Sequence, residues 1–444
     1  MMSQKLNLIS IKSRRDPKMT FSSLAHLINK ESLSECYRML KRNKACGVDN
    51  VSMEEYEQDL DRNLDNLVSQ LKAKTWEPLP VRRVYIPKPG RSEKRGLGIP
   101  DVEGKLVQMA VKRILEAIYD PCFSDSSFGF RKNRNCHQAI KMLNSEVMKK
   151  PVNYVVEVDI RKFFDEVDHY WLLRCIEHRI SDPNLIWIIR KLIKAGVIED
   201  GMFYNSVIGT PQGGVASPVL ANIFLHYVLD LWFELKFKTK CSGHSSQLRY
   251  CDDFVACFEN RNDAEKYLED LRSRLSKFGL QVAEDKTQLL EFGRRAWAKY
   301  KRYGKRVKTF TFLGFTHYCT ESRKGYFKVV HKTSKVSFNK GLKKATEFIK
   351  KARNFLQLKE MWAALKSRLV GHYNYFSISG NYQSINKYYL EIVRTVFKWI
   401  NRRSQKKSMN WEQFSNYLLL FPLPKPRIYH CLLYTSPSPR DSSK

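Results

Sequence analysis

Two adjacent carboxylates, Asp252 and Asp253, interrupt an apolar and β-prone stretch of the sequence. The runs on either side, residues 248–251 and 254–258, are typical of the two strands of a hairpin with the acidic pair at its bend. Adjacent carboxylates repel each other, so one tends to stay protonated unless a cation neutralises the pair. The pattern therefore predicts a metal site, whereas an isolated Asp-Asp pair is most often only a turn.

A third carboxylate, Asp159, ends another strand-like run, residues 154–158. Together with Asp252 and Asp253 it could hold hard cations such as Mg²⁺, which takes oxygen ligands and keeps substrate phosphates in its shell. Two such ions can clamp the attacking and leaving oxygens of an in-line phosphoryl transfer. These three residues are the predicted catalytic group.

The charge balance indicates the kind of partner. The 444 residues carry 78 Lys and Arg against 45 Asp and Glu, a formal net charge of +33, which favours nucleic acid over the alternative of a membrane surface. The ten cysteines form no C-x-x-C pair and no secretory signal peptide is recognisable, so we expect reduced thiols in a bacterial-type cytoplasm. The most apolar run, residues 219–233, is interrupted by polar residues and predicts a buried helix instead of a membrane span.

Several further segments have the composition of nucleotide or nucleic-acid contacts. Residues 84–100 form a predicted hairpin with a cation-rich tip, suited either to a triphosphate or to solvent. In residues 127–131, Phe128 could stack on template bases while Arg131 contacts phosphate. Phe164, five residues after Asp159, could lie under an incoming sugar, where its ring would clash with a 2'-OH.

Two other segments leave alternatives open. Residues 209–218 predict a Gly-rich turn that either approaches a ligand at a helix N-terminus or is a simple turn. Lys286 could meet a leaving pyrophosphate or pair with the acids beside it.

Basic residues dominate the C-terminal third. Residues 294–310 carry eight Lys and Arg and no acid, and basic helices follow from about residue 335, as in a clamp for duplex nucleic acid. The predicted nucleic-acid contacts in this part are Arg294, Arg295, Lys301, Arg302, Lys343, Lys344, Arg402 and Arg403.

Seven blocks follow one another in a specific order: YIPKPG…GLGIP, SFGFR, VDIRKFFDEVDH, GTPQGGVASPVLANIFL, RYCDDF, EDKTQLLEF and TFLGF. Together with the later GHYNYF and WINRRSQKKSMNW, they resemble the group II intron reverse transcriptase/maturase family over residues 35–433. One departure is Cys251, where the family usually has Ala; both are small, so activity should survive.

The resemblance implies an α+β right-hand polymerase, in which fingers and a palm with an antiparallel sheet precede a helical thumb. The implied divisions are an N-terminal extension (1–50), fingers and palm (51–325), thumb (326–400) and a basic DNA-binding-like module (401–433). Residues 434–444 look like translated adapter sequence and are expected to be non-native. No Cys/His cluster after residue 410 suggests the endonuclease that some family members carry.

The resemblance also implies roles for individual residues. Asp159, Asp252 and Asp253 would hold two Mg²⁺ ions, with Mn²⁺ as a substitute. The implied nucleotide contacts are Lys88 and Arg95 at the triphosphate, Phe164 at the sugar, Gln212 beside nucleotide and template, and Lys286 at the departing phosphate.

The function implied is that of an RNA-directed DNA polymerase acting on an intron RNA template, a DNA primer or target, and dNTPs. Binding of the intron RNA to promote splicing would accompany it. Two alternatives remain open: a splicing maturase with little polymerase activity, and a domesticated reverse transcriptase in phage defence.

Overall fold

The computed structural model of the protein describes residues 2–42, 44–87, 94–199, 202–204, 209, 213–403 and 409–431. Its N-terminal half, up to the Asp pair, is built mainly of helices with short strands between them. The elements are α1 (Met2–Arg15), α2 (Lys30–Met39), α3 (Met53–Gln58), α4 (Leu60–Ala73), β1 (Val81–Pro87), β2 (Lys94–Ile99), α5 (Val102–Tyr119), α6 (Cys136–Lys149), β3 (Tyr154–Val158), α7 (Phe163–Glu166), α8 (His169–Glu177), α9 (Pro183–Ile193), β4 (Val197–Glu199), β5 (Met202–Tyr204) and α10 (Ser217–Leu225).

The C-terminal half begins with the strands of the predicted hairpin and ends in helices. Its elements are β6 (Ser245–Tyr250), β7 (Asp253–Phe258), α11 (Arg261–Ser276), β8 (Gln288–Glu291), α12 (Arg294–Tyr303), β9 (Phe310–Phe312), β10 (Phe315–Glu321), β11 (Phe327–Thr333), α13 (Lys335–Phe355), α14 (Leu358–Phe376), α15 (Tyr382–Ile400) and α16 (Trp411–Leu420).

The central sheet has the strand order β6-β7-β3-β8, and all neighbours are antiparallel. Because side chains alternate along a strand, its two faces bury different sets of residues. Val156, Val158 and Phe254 belong to the large core with α5, α8, α10 and α11. Val155 and Val255 face the opposite way, into a smaller core with α6, β9 and β11. Both faces are therefore covered, and the acidic residues emerge at one end of the sheet.

A second sheet has the order β2-β1-β4-β5, in which the β1–β2 hairpin joins β4 in parallel. It confirms the hairpin predicted for residues 84–100, although the cation-rich tip at 88–93 lies outside the described residues.

The last third combines a three-stranded sheet with a helical bundle. The sheet order is β11-β10-β9, and the predicted boundary at residue 325 falls in the turn between β10 and β11. Helices α13, α14 and α15 share a separate core that also includes Phe414 and Leu423. The residues after 409 therefore pack onto the bundle. The predicted α+β class, with helices following the sheets, is confirmed.

The helical stretch Ser217–Lys240 starts as α10 and continues through two π-helical segments, His226–Asp230 and Phe233–Phe237. Within the described residues it is long and apolar enough by composition to cross a membrane, yet 67% of its most apolar window is buried inside the fold. The prediction of a buried helix over residues 219–233 is confirmed.

Candidate active site

The acidic pair lies at a tight hairpin, as predicted. Tyr250 of β6 pairs with Asp253 of β7, which leaves Cys251 and Asp252 as a two-residue loop. Cys251 has a φ of +60° and only 2% of its surface exposed. Left-handed backbone is costly for a residue with a side chain, so the surrounding structure must hold this turn in place.

The strand register brings Asp159 to Asp253. Val158 pairs with Phe254 in the antiparallel β3–β7 ladder, so the next residues outward, Asp159 and Asp253, lie across from each other at the strand ends. Both line a cleft of about 250 Å³, together with Glu157 and Lys286. Asp252 stands beside them in the turn. One strand pairing thus brings together two carboxylates that are 94 residues apart in the chain.

Like charges and burial act together on Asp253. Burial raises the pKa of its carboxyl to about 7, with further contributions from Asp252 and Asp159, while Lys286 opposes the shift. The residue as a whole still reaches solvent, since it lies at the open mouth of the cleft. The carboxylate nevertheless lines that cleft among other acids, and these keep its pKa raised. The site carries more negative charge than its protein surroundings neutralise.

Lys286 supplies the one cation seen at the carboxylates in the described part of the chain. The backbone N–H of Ala283 donates to the Asp159 carbonyl at 2.8 Å, which anchors the loop that carries Lys286. The Lys286 ammonium then donates to the Asp159 carboxylate as an ion pair. Of its two predicted alternatives, the structure shows pairing with an acid, but with Asp159 and not with a sequence neighbour.

The donor set at the cleft has the chemistry of a divalent metal site. Among the described residues, no three His, Cys, Asp or Glu side chains converge closely enough to hold an ion as they stand. The donors are nevertheless hard oxygens in excess of positive charge, and an ammonium already occupies the place of a cation at Asp159. That chemistry fits Mg²⁺, which prefers carboxylate oxygen.

A fully buried ion pair supports the hairpin from below. Arg249, with 1% of its side chain exposed, donates Nε–H and Nη2–H to the two carboxylate oxygens of Asp230 at 2.8 and 2.6 Å. Its Nη1 donates to the Asn222 side-chain oxygen at 2.9 Å and to the Cys251 carbonyl at 3.1 Å. The last bond holds the peptide that leads into Asp252. Sequence reasoning missed this network, although two polar residues eight apart in an apolar helix were a sign of it.

The segment 126–131 packs alongside β6 and does not expose the two side chains that were predicted to contact nucleic acid. Phe128 donates its backbone N–H to the Arg249 carbonyl at 2.9 Å, and its ring is buried with 4% exposed. Arg131 is also enclosed, since its guanidinium donates to the Asp120 carboxylate at 2.7 Å and to the Ser124 and Ser127 carbonyls. The prediction that Phe128 stacks on bases and Arg131 contacts phosphate is therefore wrong for this structure. Both residues instead fix the segment.

Gly129 explains why this segment can lie so close to the hairpin. A Cβ at this position would lie 2.4 Å from the backbone nitrogen of Cys251. We expect Gly129→Ala to push the catalytic turn away, to lower the free energy of unfolding by about 1–3 kcal/mol and to reduce activity. Urea unfolding would measure the loss of stability, and a catalytic assay would measure the loss of activity.

Gly371→Ala is the matched control for that substitution. Gly371 lies in α14, and a Cβ at this position would have no atom within 4 Å. Alanine there should leave stability unchanged or raise it by about 0.5–1 kcal/mol. Equal behaviour of the two variants would show that the close approach of Gly129 to the turn is unimportant.

The remaining predicted nucleotide contacts are only partly placed. Phe164 lies in α7, half-buried, with its ring edge-on to Phe163 at 5.2 Å. Lys88 and Gln212 lie outside the described residues. The backbone of Arg95 pairs with Ile86 in the β1–β2 hairpin, whereas its side chain lies outside what is described. These roles stay predictions.

The predicted basic contacts of the last third lie on the surface. All eight side chains are exposed, and Arg294 donates to the Met148 carbonyl at 3.0 Å while Lys301 pairs with Glu321. Arg402 lies 5.2 Å from the Trp399 ring centre. The exposed residues are Arg294, Arg295, Lys301, Arg302, Lys343, Lys344, Arg402 and Arg403. Their contact with nucleic acid stays a prediction.

Comparison with known proteins places these elements in context. The family model described as reverse transcriptase (RNA-dependent DNA polymerase) matches residues 86–317. Group II intron-encoded protein LtrA of Lactococcus lactis subsp. cremoris is 36% identical over 234 residues, 52% of this chain and 39% of that protein. Protein YkfC of Escherichia coli K12 is 31% identical over 330 residues, 65% of this chain and 86% of that protein.

The match thus spans about two fifths of LtrA but most of YkfC. Among solved structures, a telomerase from Candida albicans in complex with a fragment of telomeric RNA gives a TM-score of 0.43 at 14% identity, over 83% of this chain and 65% of that one.

Proposed function

The chain belongs to the reverse transcriptase family, among its group II intron-encoded members, and from that premise we propose that it is an RNA-directed DNA polymerase that also binds intron RNA. The observation that carries the proposal is the β3–β7 register, which brings Asp159 and Asp253 into one cleft beside Asp252. A reverse transcriptase that had lost its chemistry would have no need of this acidic cluster.

The proposed mechanism assigns each residue at the cleft a role. Asp159, Asp252 and Asp253 would hold divalent metal ions, which reverse transcriptases generally use and which neutralise charge on the attacking and leaving oxygens. Lys286 pairs with Asp159 and, because 42% of its side chain is exposed, has room to turn toward a departing phosphate. Arg249 fixes the peptide before Asp252, so the carboxylates enter the reaction already oriented.

The proposed partners are an RNA template, a DNA primer or target, and dNTPs. The net charge of +33 and the eight exposed cations of the last third support a polyanionic partner. Free thiols at all ten cysteines support the further proposal of a reducing, cytoplasmic compartment.

Extension of a DNA primer on an RNA template, with Mg²⁺ and either dNTPs or rNTPs, tests the proposal directly. We expect product from dNTPs only. No product from either, with RNA still bound tightly, would overturn the polymerase and favour a splicing maturase.

The proposed sugar gate gives a separate prediction. If the Phe164 ring excludes the 2'-OH, Phe164→Val should lower the preference for dNTPs over rNTPs by about tenfold or more. Single-nucleotide incorporation with matched dNTP and rNTP would measure that ratio. Phe355→Val is the control, since Phe355 is 83% exposed at the end of α13. An unchanged ratio in Phe164→Val would exclude this residue as the gate.

A further inference from the structure

A second concave site lies at the base of the β2-β1-β4-β5 sheet. Its volume is about 450 Å³, within the roughly 300–1,000 Å³ range of ligand clefts. The walls come from the extended segment before β1, the last two turns of α9, and β5. None of these residues lines the acidic cleft, and none was predicted to have a function.

The walls of this cavity are apolar and aromatic. Trp187 of α9 is half-buried and Phe203 of β5 is 55% exposed, and both line the cavity together with Pro78 and Pro80. A Cβ on Gly196 would lie only 2.6 Å from the Phe203 ring, so glycine there makes room for the ring. Two aromatic surfaces are thus available at one opening, and one of them is largely solvent-exposed.

The rim of the cavity is positively charged. Arg190 lies in the last turn of α9 and Lys194 directly follows the helix; both are exposed, and neither forms an ion pair with any residue that the structure describes. Lys191 is already engaged, because it pairs with Glu77 and lies 5.9 Å from the Trp187 ring centre. Two cations therefore remain available to an anion at the mouth of an aromatic cavity.

We propose that this cavity binds one nucleotide of a single-stranded RNA. The base would stack against Phe203 and Trp187, and the adjoining phosphates would meet Arg190 and Lys194. Aromatic rings with flanking cations are the usual surface for unpaired nucleotides, because every base has a π-face and every linkage a phosphate. A paired base cannot enter a concave site, so duplex is a poorer match. The choice of RNA rests on the proposed function.

Equilibrium binding of a fluorescent oligouridylate tests the proposal without requiring catalysis. Phe203→Ala should weaken binding about tenfold, the order expected for loss of one stacked base. Arg190→Gln/Lys194→Gln should weaken it and lower the slope of log affinity against log salt by about 1.4, the value for two phosphate contacts on a single strand. Both variants should extend a primer at the wild-type rate when RNA is saturating.

Lys266→Gln/Lys277→Gln is the matched control, because it removes the same charge from exposed positions on α11 and its end. An equal loss of affinity in this control, or wild-type affinity in Phe203→Ala, would overturn the proposal and leave only general attraction between charges. Equal binding of duplex RNA at the site would also overturn it. If the wild-type protein binds oligouridylate at this cavity but extends no primer, the result would contradict the proposed polymerase activity and leave the proposed nucleotide site standing.

Discussion

Asp252→Ala and Asp253→Asn will each lower primer extension by at least about a thousandfold and leave RNA affinity unchanged. The reason is that, in the proposed mechanism, the cleft holds divalent cations with very few ligands. The register places Asp159 and Asp253 in one cleft with Asp252 beside them, and among the described residues only Lys286 brings positive charge to it. Loss of one carboxylate removes both a ligand and a charge.

Single-turnover extension on a preformed RNA–DNA complex separates chemistry from binding. Asp61→Asn is the isosteric control, since its side chain is 92% exposed on α4. Extension retained in Asp252→Ala would refute the site assignment, whereas a parallel loss of RNA affinity would indicate a misfolded variant.

Asp253→Asn should lower activity but raise the stability of the folded protein when no metal is bound. The folded-state pKa of Asp253 is raised to about 7 by burial and by its neighbouring acids, so the unfolded chain releases this proton at a lower pH than the folded one. Wild-type stability should therefore fall as pH rises from about 4 to about 7. Asn cannot ionise, so the free energy of unfolding of Asp253→Asn should rise relative to that of the wild type over that interval. The variant should stay the more stable protein at higher pH.

Urea unfolding in EDTA, at intervals of pH, would measure that difference. If the stability advantage of Asp253→Asn over the wild type shrinks as pH rises, the folded-state pKa of Asp253 is not raised. Addition of Mg²⁺ should reverse the order of the two proteins if the ions bind at this carboxylate.

Local sequence patterns were sufficient to predict those parts of the site that lie within one short segment of the chain. Asp252 and Asp253 at a hairpin bend follow from alternating apolar residues, and the buried helix follows from its composition. The pairing of Lys286 with Asp159 could not be predicted from the sequence. The two residues are 127 positions apart, and only the Ala283 contact brings the loop that carries Lys286 to Asp159.

The error at Phe128 and Arg131 has a similar cause. Aromatic and basic residues in alternation describe a nucleic-acid surface and a buried edge segment equally well. Only the backbone pairing with Arg249 decides which side chain turns inward, and that pairing depends on the fold. The solvent-facing ring of the segment is Phe130, 58% exposed, and no local pattern distinguishes it from Phe128.

Asp230→Ala will destabilise the protein by about 3–5 kcal/mol, because it leaves the guanidinium of Arg249 buried without its counter-charge. The pair has no solvent to replace the lost partner, with 1% and 4% of the two side chains exposed. Urea unfolding would measure the loss. An exposed pair of the same type, Arg261 and Glu265 on α11, provides the control, and Glu265→Ala should cost no more than about 0.5 kcal/mol.

Stability and catalysis should separate when both charges are removed together. Arg249→Met/Asp230→Leu replaces the ion pair by apolar side chains of similar size, which often restores folding. It cannot restore the bond from Arg249 to the Cys251 carbonyl, which holds a turn whose φ of +60° is costly for cysteine. We therefore expect the double variant to unfold near the wild-type urea concentration, yet to need more Mg²⁺ for half-maximal extension. Wild-type Mg²⁺ dependence in a well-folded double variant would show that the pair serves only stability, and that the turn orients Asp252 without it.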